Sequence, residues 1–278
     1  MNIHFENVNF DSNSGPNSFG RKLVKYAKKT GHTFDLNKKA EIALAFIESN
    51  KEYSIPLVQR LDGIYFNTSQ NYKVQNHNIR QTYEKAAGVI FQSNFNKDLV
   101  FKYFGPHDNY AIIHNGADIE EIEEAKPISL PDRFTEVWSC ASSWRPHKRL
   151  DENIRYFLER SPQTACLVVA GAVDKRINDP RVFYIGEIKQ EYLYSLYKSS
   201  KYFLHLAWLD HCPNVVVDAR ASGCKIICSS AGGTREIAGS DAIVVEEDEW
   251  DFEPLNLYNP PKMDFSKIIN NEWNIDYN

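Results

Sequence analysis

The sequence predicts an α/β fold built on parallel sheet, and three observations carry that prediction. Short apolar runs alternate with amphipathic stretches of helical length, the pattern of repeated strand–helix–strand units. Glycines or charged residues follow many of the apolar runs: Arg60-Leu61-Asp62-Gly63, Gly171, Gly186, Gly232-Gly233. In open α/β sheets, ligands bind at the carboxyl ends of the strands, where those residues fall. Finally, 278 residues are enough for two domains, each with its own core.

The elements follow in order. Asn2 to Val8 alternates and reads as a first strand. Ser12 to Gly20 is rich in turn residues, and a helix is expected from about Ser18 to Lys29, stopped by Gly31. Ile42 to Ile47 is a buried segment of either type. Ile55 to Ile64 reads as a strand, Tyr72 to Ala87 as a helix and Gly88 to Ser93 as a strand. Asn94 to Phe104 is a helix ended by Gly105-Pro106, and Tyr110 to His114 is a strand leading into Asn115-Gly116-Ala117-Asp118. The acidic run Glu120 to Glu124, with Pro127 and Pro131 behind it, reads as a linker, so a domain boundary is expected between residues 125 and 126. Beyond it come strands at Glu136–Ser142, Ala165–Ala170 and Val182–Ile185, with helices at Asp151–Arg160 and Glu191–Ser199. Ala242 to Val245 is a last strand, and a final helix is expected within Asp264 to Trp273.

Composition narrows the function. A net charge of −5 argues against a nucleic-acid partner. Five cysteines, an odd number without metal-type spacing, fit a reduced cytoplasmic protein better than a disulfide framework. No run of about 18 apolar residues predicts a membrane span. Gly15-x4-Gly20 nearly matches a phosphate-binding P-loop, but Arg21-Lys22 stands where Lys-Ser/Thr is needed, so a P-loop nucleotidase is rejected. No Gly-x-Ser-x-Gly elbow and no Gly-x-Gly-x-x-Gly after a strand is present, which weighs against hydrolase and dinucleotide readings. Cys224, Cys228, His205, His211 and Cys212 lie near one another in sequence without a metal motif, so no metal ligands are assigned.

The most informative stretch is Lys201 to Glu236. It reads as strand, loop, helix, strand and glycine loop, with Pro213 at the first helical position and Gly223 as a C-terminal cap. A helix that starts just after a strand turns its first N–H groups towards the crevice, a ready site for an anion. Asp210 precedes this helix and Asp218 lies inside it. A carboxylate accepts hydrogen bonds at two oxygens and can hold adjacent sugar hydroxyls. After the strand Glu136 to Ser142 come Arg145 and Lys148, in the loop Ser143-Trp144-Arg145-Pro146-His147-Lys148-Arg149. A guanidinium fork and an ammonium suit a pyrophosphate.

Asp210-x7-Asp218, Ala219-Arg220-Ala221-Ser222-Gly223 and Gly232-Gly233-Thr234-Arg235-Glu236 together resemble the acid-x7-acid signature of retaining GT-B glycosyltransferases of the glycosyltransferase 4 type. The family carries Glu at both acid positions, where this chain has the shorter Asp. His211-Cys212-Pro213-Asn214 replaces the usual Gly-Phe-Gly, and Ser143 replaces the family's Arg. The resemblance spans roughly Asn2 to Val245 and is strongest in the second half.

The resemblance implies two Rossmann-like domains facing across a cleft: a small acceptor-side domain at 1–125 and a nucleotide-sugar domain at 126–278. It implies transfer from a UDP- or GDP-sugar to a saccharide acceptor, without a metal or other cofactor. Lys148 and Arg145 would neutralise the leaving diphosphate, Asp210 would hold the donor sugar and Asp218 the ribose. His211, Asn214 and Val215 would meet the phosphates at the helix start, and Ile188 the base. Gly15, Pro16 and Asn17 would face donor and acceptor from the first loop. Asp62, with Arg60, stands at a strand's carboxyl end, where contact with the reacting sugar is expected. Arg21, Lys22, Lys25, Lys28 and Lys29 form a basic helix face of the kind that touches anionic membranes in related transferases. Two alternatives remain open: a nucleotide-sugar epimerase or phosphorylase on the same fold, and a non-catalytic nucleotide-sugar-binding or scaffold protein.

Overall fold

The computed structural model describes residues 1–12, 14–35, 38–129 and 133–273. Asn13 of the first loop and Pro131 of the expected linker lie outside them. The chain divides into two compact units, Met1–Gly116 with Asp251–Leu255, and Ala117–Trp250 with Asn256–Asn278.

The first unit is a five-stranded parallel sheet: β1 (Ile3–Glu6), β2 (Ile42–Phe46), β3 (Leu57–Leu61), β4 (Gly88–Phe91) and β5 (Tyr110–Ile112). Its spatial order is the chain order, β1-β2-β3-β4-β5, so it has no point at which the winding reverses. Ile42 to Phe46, ambiguous in sequence, is a strand because its Ala43, Ala45 and Phe46 are fully buried between neighbours on both sides. Helices α1 (Gly15–Lys29), α2 (Tyr72–Lys85) and α3 (Asn94–Phe104) connect the strands. α1 starts earlier than expected, at Gly15, with Pro16 in its first turn where a missing N–H costs nothing. Asn71 and Ser93 cap α2 and α3 by accepting from Val74 N and Asn96 N.

The second unit is a seven-stranded sheet. It contains β6 (Glu136–Ala141), β7 (Ala165–Ala170), β8 (Val182–Gly186), β9 (Tyr202–His205), β10 (Lys225–Ser229), β11 (Ile243–Val245) and β12 (Ile268–Asn270). The order β12-β11-β10-β9-β6-β7-β8 reverses between β9 and β6, as in a doubly wound Rossmann sheet. One face is covered by α4 (Ile119–Glu124), α6 (Gln190–Ser199), α7 (Asn214–Ala221) and α8 (Thr234–Ile237), whose Ile122, Tyr194, Tyr197, Val216 and Ile237 share one core. The other is covered by α5 (Leu150–Arg160) and the tail, where Ile154 and Phe157 pack with Met263 and Phe265.

Two expectations are corrected. The acidic run expected as a linker is helix α4: Asp118 caps it, and Ile122 is buried in the second unit's core. That burial moves the division of the chain to Gly116–Ala117 instead of 125–126. The tail forms no helix at Asp264–Trp273. β12 pairs antiparallel with β11, and α5 fixes the preceding extended chain through Arg155 and Arg160, which donate to Met263 O and Phe265 O at 2.7 Å each. The pairing with β11 and these two bonds hold the tail extended.

The strand ends leave little room. A Cβ on Gly171 would lie 2.1 Å from Ser142 O, at a φ of +106°. Gly223 has a φ of +97° but open space around it. Overpacking costs about 1–3 kcal/mol on top of about 1–2 kcal/mol for the left-handed conformation. In urea unfolding, Gly171→Ala is therefore expected to lose clearly more stability than Gly223→Ala. Equal losses would contradict this account of the β7 end.

Candidate functional site

The winding reversal sets two loops side by side: the one after β6, which carries Lys148, and the one after β9, which carries Asp210. Lys148 ends a single 3-10 turn, Pro146–Lys148, opened by Pro146. Arg149 follows in the left-handed conformation, with φ 51°. That strained residue is held by a buried, bidentate ion pair: its Nη1 and Nη2 donate to Glu247 Oε2 and Oε1 at 2.8 and 2.7 Å. Arg149 Nη2 also donates to Pro261 O at 2.9 Å, and Ser229 Oγ donates to Glu247. The turn that aims Lys148 is thus anchored to β10 and the tail.

Lys148 Nζ donates to Asp210 Oδ2. The same oxygen lies 2.8 Å from His205 Nε2, at the end of β9, while Oδ1 accepts from His211 N at 3.0 Å. The backbone of Asp210 is fixed as well. Its carbonyl accepts from Gly233 N at 2.7 Å, and a Cβ on Gly232 would come within 2.7 Å of Asp210 O. Burial alone would raise the Asp210 pKa, but Lys148 and His205 outweigh it and hold the carboxyl well below its usual range. Burial keeps His205 neutral against the pull of Asp210, so the network assigns its proton to Nε2, the atom facing the carboxylate.

α7 begins immediately beyond this cluster. Pro213 is its N-cap, not its first helical residue, and its ring offers no side-chain acceptor to the turn that starts at Asn214 and Val215. Val216 N and Val217 N both reach Pro213 O, at 3.0 and 3.4 Å. Asp218, one turn on, is buried and accepts from Gln190 Nε2 at 3.0 Å. Gln190 opens α6, two residues after Ile188, which is half-buried against the core behind β8.

The structure therefore brings Lys148, Asp210 and His211 into one hydrogen-bonded group, with Asn214 and Val215 at the adjoining helix start. Arg145 is exposed, and its side chain makes no hydrogen bond or ion pair among the described residues. Gln190 and the Arg149–Glu247 pair escaped the sequence reading, and His205 was weighed there only as a metal ligand. Only His205 left a signal there, as the polar residue in an apolar strand.

In the first unit, Asn17 supports the opening loop: its Oδ1 accepts from Asn9 N at 2.9 Å and its Nδ2 donates to Ser14 Oγ at 2.8 Å. Gly15 and Pro16 form the first turn of α1. Arg21 donates to Phe10 O and Ser12 O, bracing that loop, while Lys25 and Lys29 lie over the Tyr26 ring. Asp62 follows β3 and accepts from Arg60 and Gln92; its burial raises its pKa against the effect of those donors.

Residues 122–251 match the family model of glycosyl transferases group 1. No curated protein matches the chain in sequence. Among solved structures, it is similar to sucrose-phosphate synthase from Thermosynechococcus elongatus: TM-score 0.69, 12% identity, covering 88% of this chain and 86% of that one. It is also similar to Anabaena HepE in complex with UDP: TM-score 0.66, 16% identity, with 90% and 86% covered. A third similar structure is WaaG, a glycosyltransferase involved in lipopolysaccharide biosynthesis: TM-score 0.63, 12% identity, with 89% and 86% covered. The two parallel α/β units are those of the GT-B fold.

The buried histidines around Lys148 make stability depend on pH. Burial lowers the His147 pKa to about 3 and the His211 pKa to about 4, and also lowers that of His205. These rings are neutral when folded but take up protons below the ordinary value of 6.5 when unfolded. Stability is therefore full above 6.5 and falls as the solution is acidified, by up to about 1.4 kcal/mol per pH unit for each of His147 and His211. His147→Gln is expected to reduce proton uptake on unfolding by about one between pH 6 and pH 4.5, as read from urea midpoints. An unchanged slope would contradict the assignment of a neutral, buried His147.

Proposed function

We propose that this chain is a glycosyltransferase that moves a sugar from a nucleotide-sugar donor to a saccharide acceptor with retention at the anomeric carbon. The observation that carries the reading is the convergence of Lys148, Asp210 and the loop that leads into α7 at the winding reversal of the second sheet. Retention rests on the resemblance of Asp210-x7-Asp218 to the acid pair of retaining enzymes.

In such a transfer, the bond from the anomeric carbon to the diphosphate breaks, and a bond to the acceptor oxygen forms. The acceptor hydroxyl loses its proton, and the diphosphate leaves with added negative charge. Lys148 stands where it can meet that charge, with the N–H groups at the start of α7 beside it. Arg145, unengaged and exposed, is free to swing towards the same oxygens. Asp210 orients Lys148 and stays ionised. Among the described residues its Oδ1 accepts one hydrogen bond, from His211 N, so an acceptor position remains for a donor-sugar hydroxyl. Asp218, aimed by Gln190, would take the ribose, and the backbone at Ile188 the base. Gly15, Pro16 and Asn17 would line the acceptor side. HepE has been seen with UDP and with UDP-glucose, which makes UDP-sugars the first donors to test and GDP-sugars the next. The proposal includes a cytoplasmic location and a peripheral membrane contact through Lys22, Lys25, Lys28 and Lys29, with Arg21 bracing the loop beside them.

A thermal-shift screen against UDP-, GDP-, dTDP- and ADP-sugars, with and without EDTA, tests the reading. A ligand at a hundredfold excess over its dissociation constant stabilises the folded state by about 2.7 kcal/mol. One nucleotide is expected to shift the melting temperature regardless of EDTA, and Asp218→Ala to abolish the shift. With the donor so identified, Lys148→Ala is expected to lower kcat by about 10²–10³-fold. The absence of any shift would remove the donor-site assignment.

A further inference from the structure

The second unit buries one polar side chain that the donor-site reading leaves without a role. Asn153 lies near the start of α5, next to Ile154 of the core, and is 1% exposed. An amide in apolar surroundings costs about 1–3 kcal/mol unless its hydrogen bonds are made. Here they are made. Nδ2 donates to Lys148 O at 3.1 Å and to Arg149 O at 2.8 Å, and Oδ1 accepts from Leu206 N at 3.1 Å. The helix does not require this side chain, because Arg149 O already accepts from Asn153 N at 3.0 Å.

The three bonds join the two loops that carry Lys148 and Asp210. Lys148 and Arg149 end the loop after β6, and Leu206 is the first residue after β9, on the way to Asp210. Two more bonds lace the same loops. Trp208 N donates to His147 O at 2.7 Å, and Arg149 Nη1 reaches Leu206 O at 3.4 Å. Leu206 is thus held at its N–H by Asn153 and at its carbonyl by Arg149. Among the described residues, the Asn153 side chain alone binds the Lys148 backbone and the β9 loop together. A lysine ammonium sits on a flexible stem, so its position depends on where its backbone is fixed. Misplacing a catalytic group by about 1 Å can cost about 10²-fold in rate.

We propose that Asn153 is a positioning residue for Lys148: its side-chain amide fixes the register between the two loops, and so sets where the Lys148 ammonium stands relative to Asp210 and to a bound diphosphate. The diphosphate rests on the transfer reading above; the register does not. Asn153 touches no ligand and acts only through Lys148.

The test uses the full chain and Asn153→Leu, which fills similar space without hydrogen bonds. If that variant does not fold, Asn153→Ala takes its place, since it leaves room for water at the freed backbone groups. A crystal structure of the unliganded variant is expected to show Lys148 Nζ out of hydrogen-bond reach of Asp210. A pair that stays intact overturns the proposal. Titration calorimetry with UDP, or with GDP if UDP does not bind, completes a double-mutant cycle. Asn153→Leu is expected to weaken binding about tenfold in the wild type and to add no loss in Lys148→Ala. An equal loss in both backgrounds also overturns the proposal, because a merely structural role acts without Lys148. Failure of both nucleotides to bind the wild type counts against the transfer reading instead, and the unliganded crystal structure then decides the role of Asn153.

Discussion

The ion pair between Lys148 and Asp210 is the contact on which the rest of the second unit converges. It exists because the sheet reverses its winding between β9 and β6, which leaves the loops after those strands without an intervening strand or helix. Neither partner is fully covered: Lys148 keeps 18% and Asp210 13% of its side-chain surface. A pair at this depth is not a strong stabiliser in itself, because desolvation offsets most of its attraction. Its consequence is geometric. It holds an ammonium against the loop that leads into α7. The supports are elaborate for so small a group: a left-handed Arg149 clamped by Glu247, and an Asp210 backbone fitted against Gly232, where any side chain would press on it.

The two sheets handle polar chemistry differently. The second sheet has a reversal, and its charged residues gather there. The first runs β1 to β5 without one, yet it too places charge at its strand ends, in the Arg60–Asp62–Gln92–Asn115 ring. There the aromatic groups of α1 and β2 supply the enclosure that a crevice would otherwise supply. A guanidinium packed against aromatic rings loses little freedom on binding its partners, which suits it to holding a carboxylate still.

Much of this was legible in the sequence, for particular reasons. Strands such as Ala165–Ala170 and helices such as Asn94–Phe104 announce themselves by apolar pattern and end signals, and the structure reproduces both ranges. Lys148, Asp210 and Asp218 were visible because their spacing survives in one stretch or sits beside a strand end. Long-range partners were not visible. Arg149 and Glu247 lie 98 positions apart, and nothing local to either names the other. Gln190 reads as an ordinary helix-opening residue until α6 brings it against Asp218. The tail failed for a different reason: Asp264 to Trp273 has a composition compatible with a helix, but Ile268–Asn270 pairs with β11, and Arg160 of α5 binds Phe265 O. The acidic run at Glu120–Glu124 misled in the opposite direction, because a single buried Ile122 outweighs its charged neighbours.

The most direct test of the central claim is a crystal structure with UDP bound. The account predicts the diphosphate within hydrogen-bond distance of Lys148 Nζ and of the backbone N–H at Val215, with Asp210 still bonded to His205. A diphosphate bound elsewhere, with Lys148 and Asp210 left in their mutual pair, would contradict it.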